Sequence, residues 1–126
     1  MAHILNDSEL AVMNIIWSGE RVRAMDTASR TSEEKGWKRN TTYTVISRMI
    51  DKGLIAREDP GFYCTALVDR DTVSLSEGIS IVDRFFEGSL SLFASAFIKE
   101  KKLSDEEINE LMRIIEENKG GDANDG

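Results

Sequence analysis

A mainly α-helical fold with one small β-hairpin is what this 126-residue chain predicts. Apolar residues recur every three to four positions through most of its length, the period of helices that bury one face. Over a single stretch, residues 54–68, the period shortens to that of extended chain around Pro60-Gly61.

The first helix is marked by Asn6 and Glu9, which stand at capping-box spacing. Behind them Leu10, Met13, Ile16 and Trp17 form an apolar stripe that Val12 and Ile15 widen, and Gly19 supplies the stop. In "RVRAMDTASRTSEEKGW" a narrower stripe of Val22, Met25 and Ala28 predicts a second helix ending at Gly36. Asn40 is the expected N-cap of a third helix, whose inward stripe is Thr42, Val45, Ile46, Met49 and Ile50 and whose C′ residue is Gly53. "LIARE" and "FYCTALV" then read as two strands joined by a turn at Pro60-Gly61. Three short helices followed by a hairpin is the order of a winged helix-turn-helix, an architecture that binds DNA, here over residues 1–68.

From Asp69 the helical period returns. Twelve of the twenty residues from Ile79 to Ile98 are apolar, and Gly88 divides them into two helices. Ser104 with Glu107 caps a last helix carrying Ile108, Leu111, Met112 and Ile115 on one face. Residues 69–118 are thus expected to form a helical dimerisation module, and residues 119–126, "KGGDANDG", a disordered tail. Three short phenylalanine-rich helices cannot all turn inward within so small a unit. The surplus face, Ile81, Phe85, Phe86, Leu90, Phe93, Phe97, Ile108, Leu111, Met112 and Ile115, is expected to meet a second copy of the chain, the alternative being packing onto the first helix.

Charge divides the chain in the same place. Of the net −7, none lies in residues 1–68, which hold nine basic and nine acidic residues; residues 69–126 hold seven and fourteen. Within the neutral part, Lys35, Lys38, Arg39, Arg48, Lys52 and Arg57 face only Asp51 between positions 35 and 57. Such a segment suits a polyanion, or is simply a solvated face. It coincides with an odd helix start: five of the six residues from Thr41 to Ile46 are β-branched, each up to ~0.7 kcal/mol worse than alanine in a helix. With Thr42, Val45, Ile46, Met49 and Ile50 inward, the outward residues are Thr41, Tyr43, Thr44, Ser47 and Arg48. Small hydroxyls approach base edges and phosphates closely, and a threonine methyl can meet a thymine methyl. Lys38, Arg39 and the helix start at Asn40 would add attraction for phosphate. The predicted DNA-contacting set is therefore Lys38, Arg39, Asn40, Thr41, Tyr43, Thr44, Ser47 and Arg48.

Other chemistries find little footing. His3 is the only histidine, so no catalytic triad or histidine metal cluster can be assembled, and neither metal nor cofactor is expected. The single cysteine, Cys64, excludes an internal disulfide and is expected to be a half-buried strand residue. Asp105, Glu106, Glu107 and Glu110 open a helix, where acids complement the dipole. Trp17 and Trp37 are expected as core anchors. No apolar run reaches the ~20 residues that span a bilayer, and the first ten residues do not read as a secretion signal, so no membrane partner is expected.

"LNDSELAVMNIIW", "GW…TTYTVISRMIDKGLI" and "FFEGSLSLFASAFIKEKKLSDEEINELMRII" together resemble the penicillinase-repressor family, over about positions 4–118 and in the family's order. That family includes the β-lactamase, methicillin-resistance and copper-operon repressors of bacteria. Thr41, Thr44, Arg48 and Lys52-Gly53 look like its recognition helix, and Gly88-Ser89 with "KLSDEEIxEL" like its dimerisation module. The resemblance implies a cytoplasmic homodimer, not an enzyme, that binds a palindromic operator in double-stranded DNA and represses a neighbouring gene. It also implies a regulatory protease that cleaves before a phenylalanine, typically after asparagine; here that place reads Ala96-Phe97. The cysteine cluster of the copper branch is absent from the C-terminal residues, and Phe62 stands after the wing glycine where the family usually has a basic residue. A second reading, a protein-interaction module that keeps the winged-helix scaffold without using it on DNA, draws on the neutral first domain and the non-basic wing.

Overall fold

The computed structural model describes residues 5–120. Its elements run α1 (Asp7–Ile16), β1 (Val22–Arg23), α2 (Ala24–Lys35), α3 (Arg39–Asp51), β2 (Ile55–Glu58), β3 (Tyr63–Ala66), α4 (Arg70–Phe85), α5 (Leu90–Lys101) and α6 (Asp105–Asn118). His3 and residues 121–126 of the expected tail lie outside the described residues. The chain forms two compact units that divide between Ser80 and Ile81, inside α4. The change of composition after Val68 therefore precedes the division: Val73 is buried, and the Glu77 carboxylate accepts the Leu5 backbone N–H at 2.6 Å, so the first turns of α4 pack with the first unit.

In that unit α1 opens with the expected reciprocal cap. Asn6 accepts the Glu9 N–H at 2.8 Å, and the Glu9 side chain accepts the Asn6 N–H at 3.0 Å. The buried face is Glu9, Val12, Met13, Ile15 and Ile16. Leu10, expected inward, is exposed, because Glu9 holds the place on that face one turn before Val12 and Met13.

The second helix differs more. Its first residues are not helical: Val22 and Arg23 pair with Cys64 and Tyr63, which adds a third strand to the expected hairpin and gives the antiparallel order β1-β3-β2. The helix then starts at Ala24, and its buried face is Ala24, Thr27, Ala28 and Thr31, while Met25 is exposed. Threonines can fill this face because every buried hydroxyl finds a partner. Thr27 donates to the Arg23 carbonyl at 3.1 Å and Thr31 to the Ala28 carbonyl at 3.1 Å. With the Thr31 proton so placed, Thr42 is the donor in the 2.5 Å contact between their two oxygens. Small side chains on α2 let α3 approach it closely.

α3 begins two residues earlier than its sequence suggests. Lys38, not Asn40, is the N-cap, and its carbonyl accepts the Thr41 N–H at 3.0 Å, so Asn40 lies within the first turn. Only Gly36, Trp37 and Lys38 separate α3 from α2, a turn of helix-turn-helix length. Gly36, at φ +73°, makes the reversal in the left-handed region. At the far end Gly53 sits at φ +80°, its N–H bonded to Ile50 and the Leu54 N–H to Met49, the double bond pattern of a Schellman stop.

The core joins Val12, Met13, Ile16, Ala24, Val45, Ile46, Met49, Leu54, Ile55 and Cys64, with Trp17 and Trp37 packed partly buried against it. Trp17 donates its indole N–H to the Val68 carbonyl at 2.9 Å. Cys64 is fully buried rather than half-buried, because β3 is the central strand.

In the second unit, Gly88 at φ +75° ends the preceding helix, and Ser89 caps α5 by accepting the Leu92 N–H at 3.0 Å. Ser104 caps α6 in the same way, through Glu107. Phe86, Phe93 and Phe97 pack in series, the first pair edge-to-face and the second tilted, with ring centroids 5.2 and 5.7 Å apart. Neither α5 nor α6 contains a buried residue. Among the described residues no helix is long and apolar enough to cross a membrane.

Candidate nucleic-acid interface

The geometry of α3 follows from its buried side. Thr42, Val45, Ile46 and Met49 are buried and Ile50 is half-buried, which leaves Asn40, Thr41, Thr44, Ser47 and Arg48 exposed on the opposite side. Lys38 and Arg39 are exposed at the start of the helix. Its first turn contains no acid, and the Lys38 side chain makes no cap bond to the leading amides. Those N–H groups, with the positive end of the dipole, are available to an anion. Seven of the eight predicted contact residues thus share one open surface of hydroxyls, amide and positive charge. The eighth, Tyr43, is half-buried, its ring centroid 5.7 Å from that of Phe62 on the wing.

Charge at the other end of α3 is tied to α1. The Lys52 ammonium donates to the buried Glu9 carboxylate. Burial works to raise the Glu9 pKa, but the hydrogen bond from Lys52, that from the Asn6 amide, and the charges of Lys52 and Arg48 outweigh it and hold it below its ordinary value. This bond secures the helix that presents the open face.

The wing adds Arg21 and Arg23, which no local pattern marks, to Arg57 of the basic segment. Arg23 donates to the Tyr63 hydroxyl at 3.2 Å, and Arg21 lies 4.1 Å from that ring's centroid while pairing with Glu58 at 2.8 Å. Arg57 lies 3.6 Å from the Phe62 ring centroid and donates to Asp59. Only the pairing of strands distant in sequence assembles these groups; the basic segment that includes Arg57 and the aromatic after the turn glycine were the clues to them.

Elsewhere, Cys64 has its pKa raised by burial, which the nearby charge of Arg57 only partly opposes, so the thiol is held protonated. Among the described residues no group of three or more histidine, cysteine or acidic side chains could hold a metal.

Comparison with known proteins gives this surface a context. The profile of the penicillinase repressor family matches residues 5–117. The chain belongs to the penicillinase repressor family. It is 32% identical over 117 residues to the penicillinase repressor of Bacillus licheniformis, covering 91% of each chain. Over 113 residues it is 26% identical to the methicillin resistance regulatory protein MecI of Staphylococcus aureus strain N315, covering 88% of this chain and 92% of that one. Among solved structures, the solution structure of the DNA binding domain of the repressor BlaI superposes with a TM-score of 0.51 at 28% identity, covering 57% of this chain and 93% of that domain. The penicillinase repressor family consists of DNA-binding transcriptional repressors, not enzymes.

Proposed function

We propose that this transcriptional repressor acts in the cytoplasm as a homodimer on a two-fold symmetric operator in double-stranded DNA. In each half-site the amino-terminal half of α3 enters the major groove. Thr41, Thr44, Ser47 and Arg48 reach base edges and phosphates, and Lys38, Arg39 and Asn40 hold the flanking backbone. Tyr43 contributes through its exposed edge. The observation that carries this reading is the open face of α3: hydroxyls and cations without a carboxylate before Asp51, backed by a fully buried opposite side. Selection of bound duplexes from the host's genomic DNA tests it. One enriched palindrome is the expected result, and Arg48→Ala is expected to weaken binding to it in a gel-shift titration. Recovery of no preferred duplex would favour a scaffold that serves protein contacts instead.

The dimer reading is supported by the second unit's apolar surface. Ile81, Phe85, Leu90, Phe97, Leu111, Met112 and Ile115 are all exposed, with Phe86, Phe93 and Ile108 half-buried beside them. Light scattering across a dilution series is expected to give twice the monomer mass. Relief of repression by a protease at Ala96-Phe97 belongs to the same reading. That bond lies inside α5, so cutting requires the helix to open locally. Incubation with the host's sensor protease, followed by mass analysis of the fragments, checks it.

A further inference from the structure

We infer that Arg57 is a phosphate-contacting residue of the wing, held in place by Phe62, an assignment that rests on the DNA-binding reading above. Four observations converge on it. The register pairs Arg57 with Cys64 and Val22 with Cys64, which puts Arg57 on the sheet face that covers the core. Glu58, Tyr63 and Arg23 share the other face, so of the wing's arginines Arg57 is the one on the side of α3.

Phe62 is fixed independently of Arg57. It adopts φ +51°, its carbonyl accepts the Ala24 N–H at 2.9 Å, and its ring meets Tyr43 of α3. The ring is therefore a platform spanning wing and recognition helix. Arg57 lies on that platform at 3.6 Å, where the aromatic face restrains a long side chain that would otherwise lose rotamer freedom on binding.

The last observation concerns which donors remain. Asp59 takes only Nε, at 3.0 and 3.2 Å. Among the described residues the two terminal amino groups of Arg57 have no hydrogen-bond partner, and about half of the side chain, 46%, is exposed. A guanidinium held against the ring, bonded at Nε and open at its terminal nitrogens, presents the planar donor edge that fits a phosphate. A phosphate can bind there without displacing Asp59. In this wing the aromatic after the glycine does not carry the contact; it positions the residue that does.

The test uses the full chain and a duplex selected by it from genomic DNA, titrated at several salt concentrations. Two copies of Arg57 in the proposed dimer would neutralise about two phosphates, so Arg57→Ala should flatten the log Kd against log salt slope by roughly 1.8. Affinity near 0.15 M salt should drop by at least roughly tenfold. Arg57→Lys should keep the wild-type slope, because the charge remains. Phe62→Leu should weaken binding clearly more in the wild-type background than once Arg57 is alanine, an outcome that a merely structural role would not give. Thermal melts of each variant check the fold. An unchanged slope in Arg57→Ala overturns the assignment, as does an equal loss from Phe62→Leu whatever stands at 57. Failure of the wild-type chain to retain any duplex would instead remove the DNA-binding reading itself, whereas loss with Arg48→Ala but not with Arg57→Ala removes only this inference.

Discussion

The two units solve the burial problem in opposite ways. In the first, α1, α3 and the central strand close on one another so completely that Val12, Met13, Ile16, Ile46, Met49 and Cys64 have no accessible surface. In the second, α5 and α6 bury nothing, and Phe85 and Leu90 each keep 68% of their surface exposed. Both units have well-formed caps, so local helix signals do not separate them. What separates them is where the apolar stripes go. A stripe met by another element of the same chain makes a self-sufficient fold, whereas the stripe left exposed among the described residues of the second unit is the one the proposed dimer would cover. Stability is therefore expected to be a property of the chain in one unit and of its concentration in the other.

The sharpest probe of that contrast is Met49→Ala. Emptying this fully buried site should cost the first unit about 2–5 kcal/mol, by the same amount at every protein concentration in urea unfolding. Met112→Glu, on the exposed stripe of α6, should leave the first unit's melt unchanged. It should weaken self-association by about 2 kcal/mol or more, read as a shift of the mass-against-dilution curve. A Met112→Glu chain that dimerises normally would break the comparison. Thr31→Val tests the hydroxyl pair inside the first unit: it strands the buried Thr42 hydroxyl and should cost about 1–3 kcal/mol, more than Thr27→Val, whose partner is a carbonyl of its own helix.

Glu9→Gln should have the smallest effect, roughly 1 kcal/mol near neutral pH. Its signature is in the pH dependence. The pKa of Glu9 is lower in the folded chain, so its contribution is present above the usual glutamate range and is lost as pH falls through the lowered value. The wild-type curve of stability against pH should therefore slope downward there, and the glutamine variant's should be flatter.

Much of the first unit could be read from the sequence because its signals are local. The Asn6–Glu9 cap, the Thr42, Val45, Ile46 and Met49 stripe and the Gly53 stop each lie within a few residues of the backbone they shape. The differences from the sequence expectation have separate physical causes, one of them a partner distant in sequence. Val22 and Arg23 become a strand only because Cys64 and Tyr63 lie beside them, forty residues on. Thr27 and Thr31 go inward while Met25 stays out, since hydrogen bonds remove the penalty that polarity would carry. Asn40 is a good capping residue, yet it lies inside the first turn and Lys38 is the cap. The open face of α3 was legible from periodicity alone; the Tyr43–Phe62–Arg57 stack was not, because it exists only once wing and helix meet.

The contact of Thr31 with Thr42 reaches beyond stability. It joins the buried faces of α2 and α3 directly, with a single stem carbon on either side, both side chains fully buried. α3 is thirteen residues long, about 20 Å, so a small tilt at this contact becomes a larger displacement at its ends. On the proposed reading of α3, a change at Thr31 is expected to alter preference among operators from a position that never touches a base.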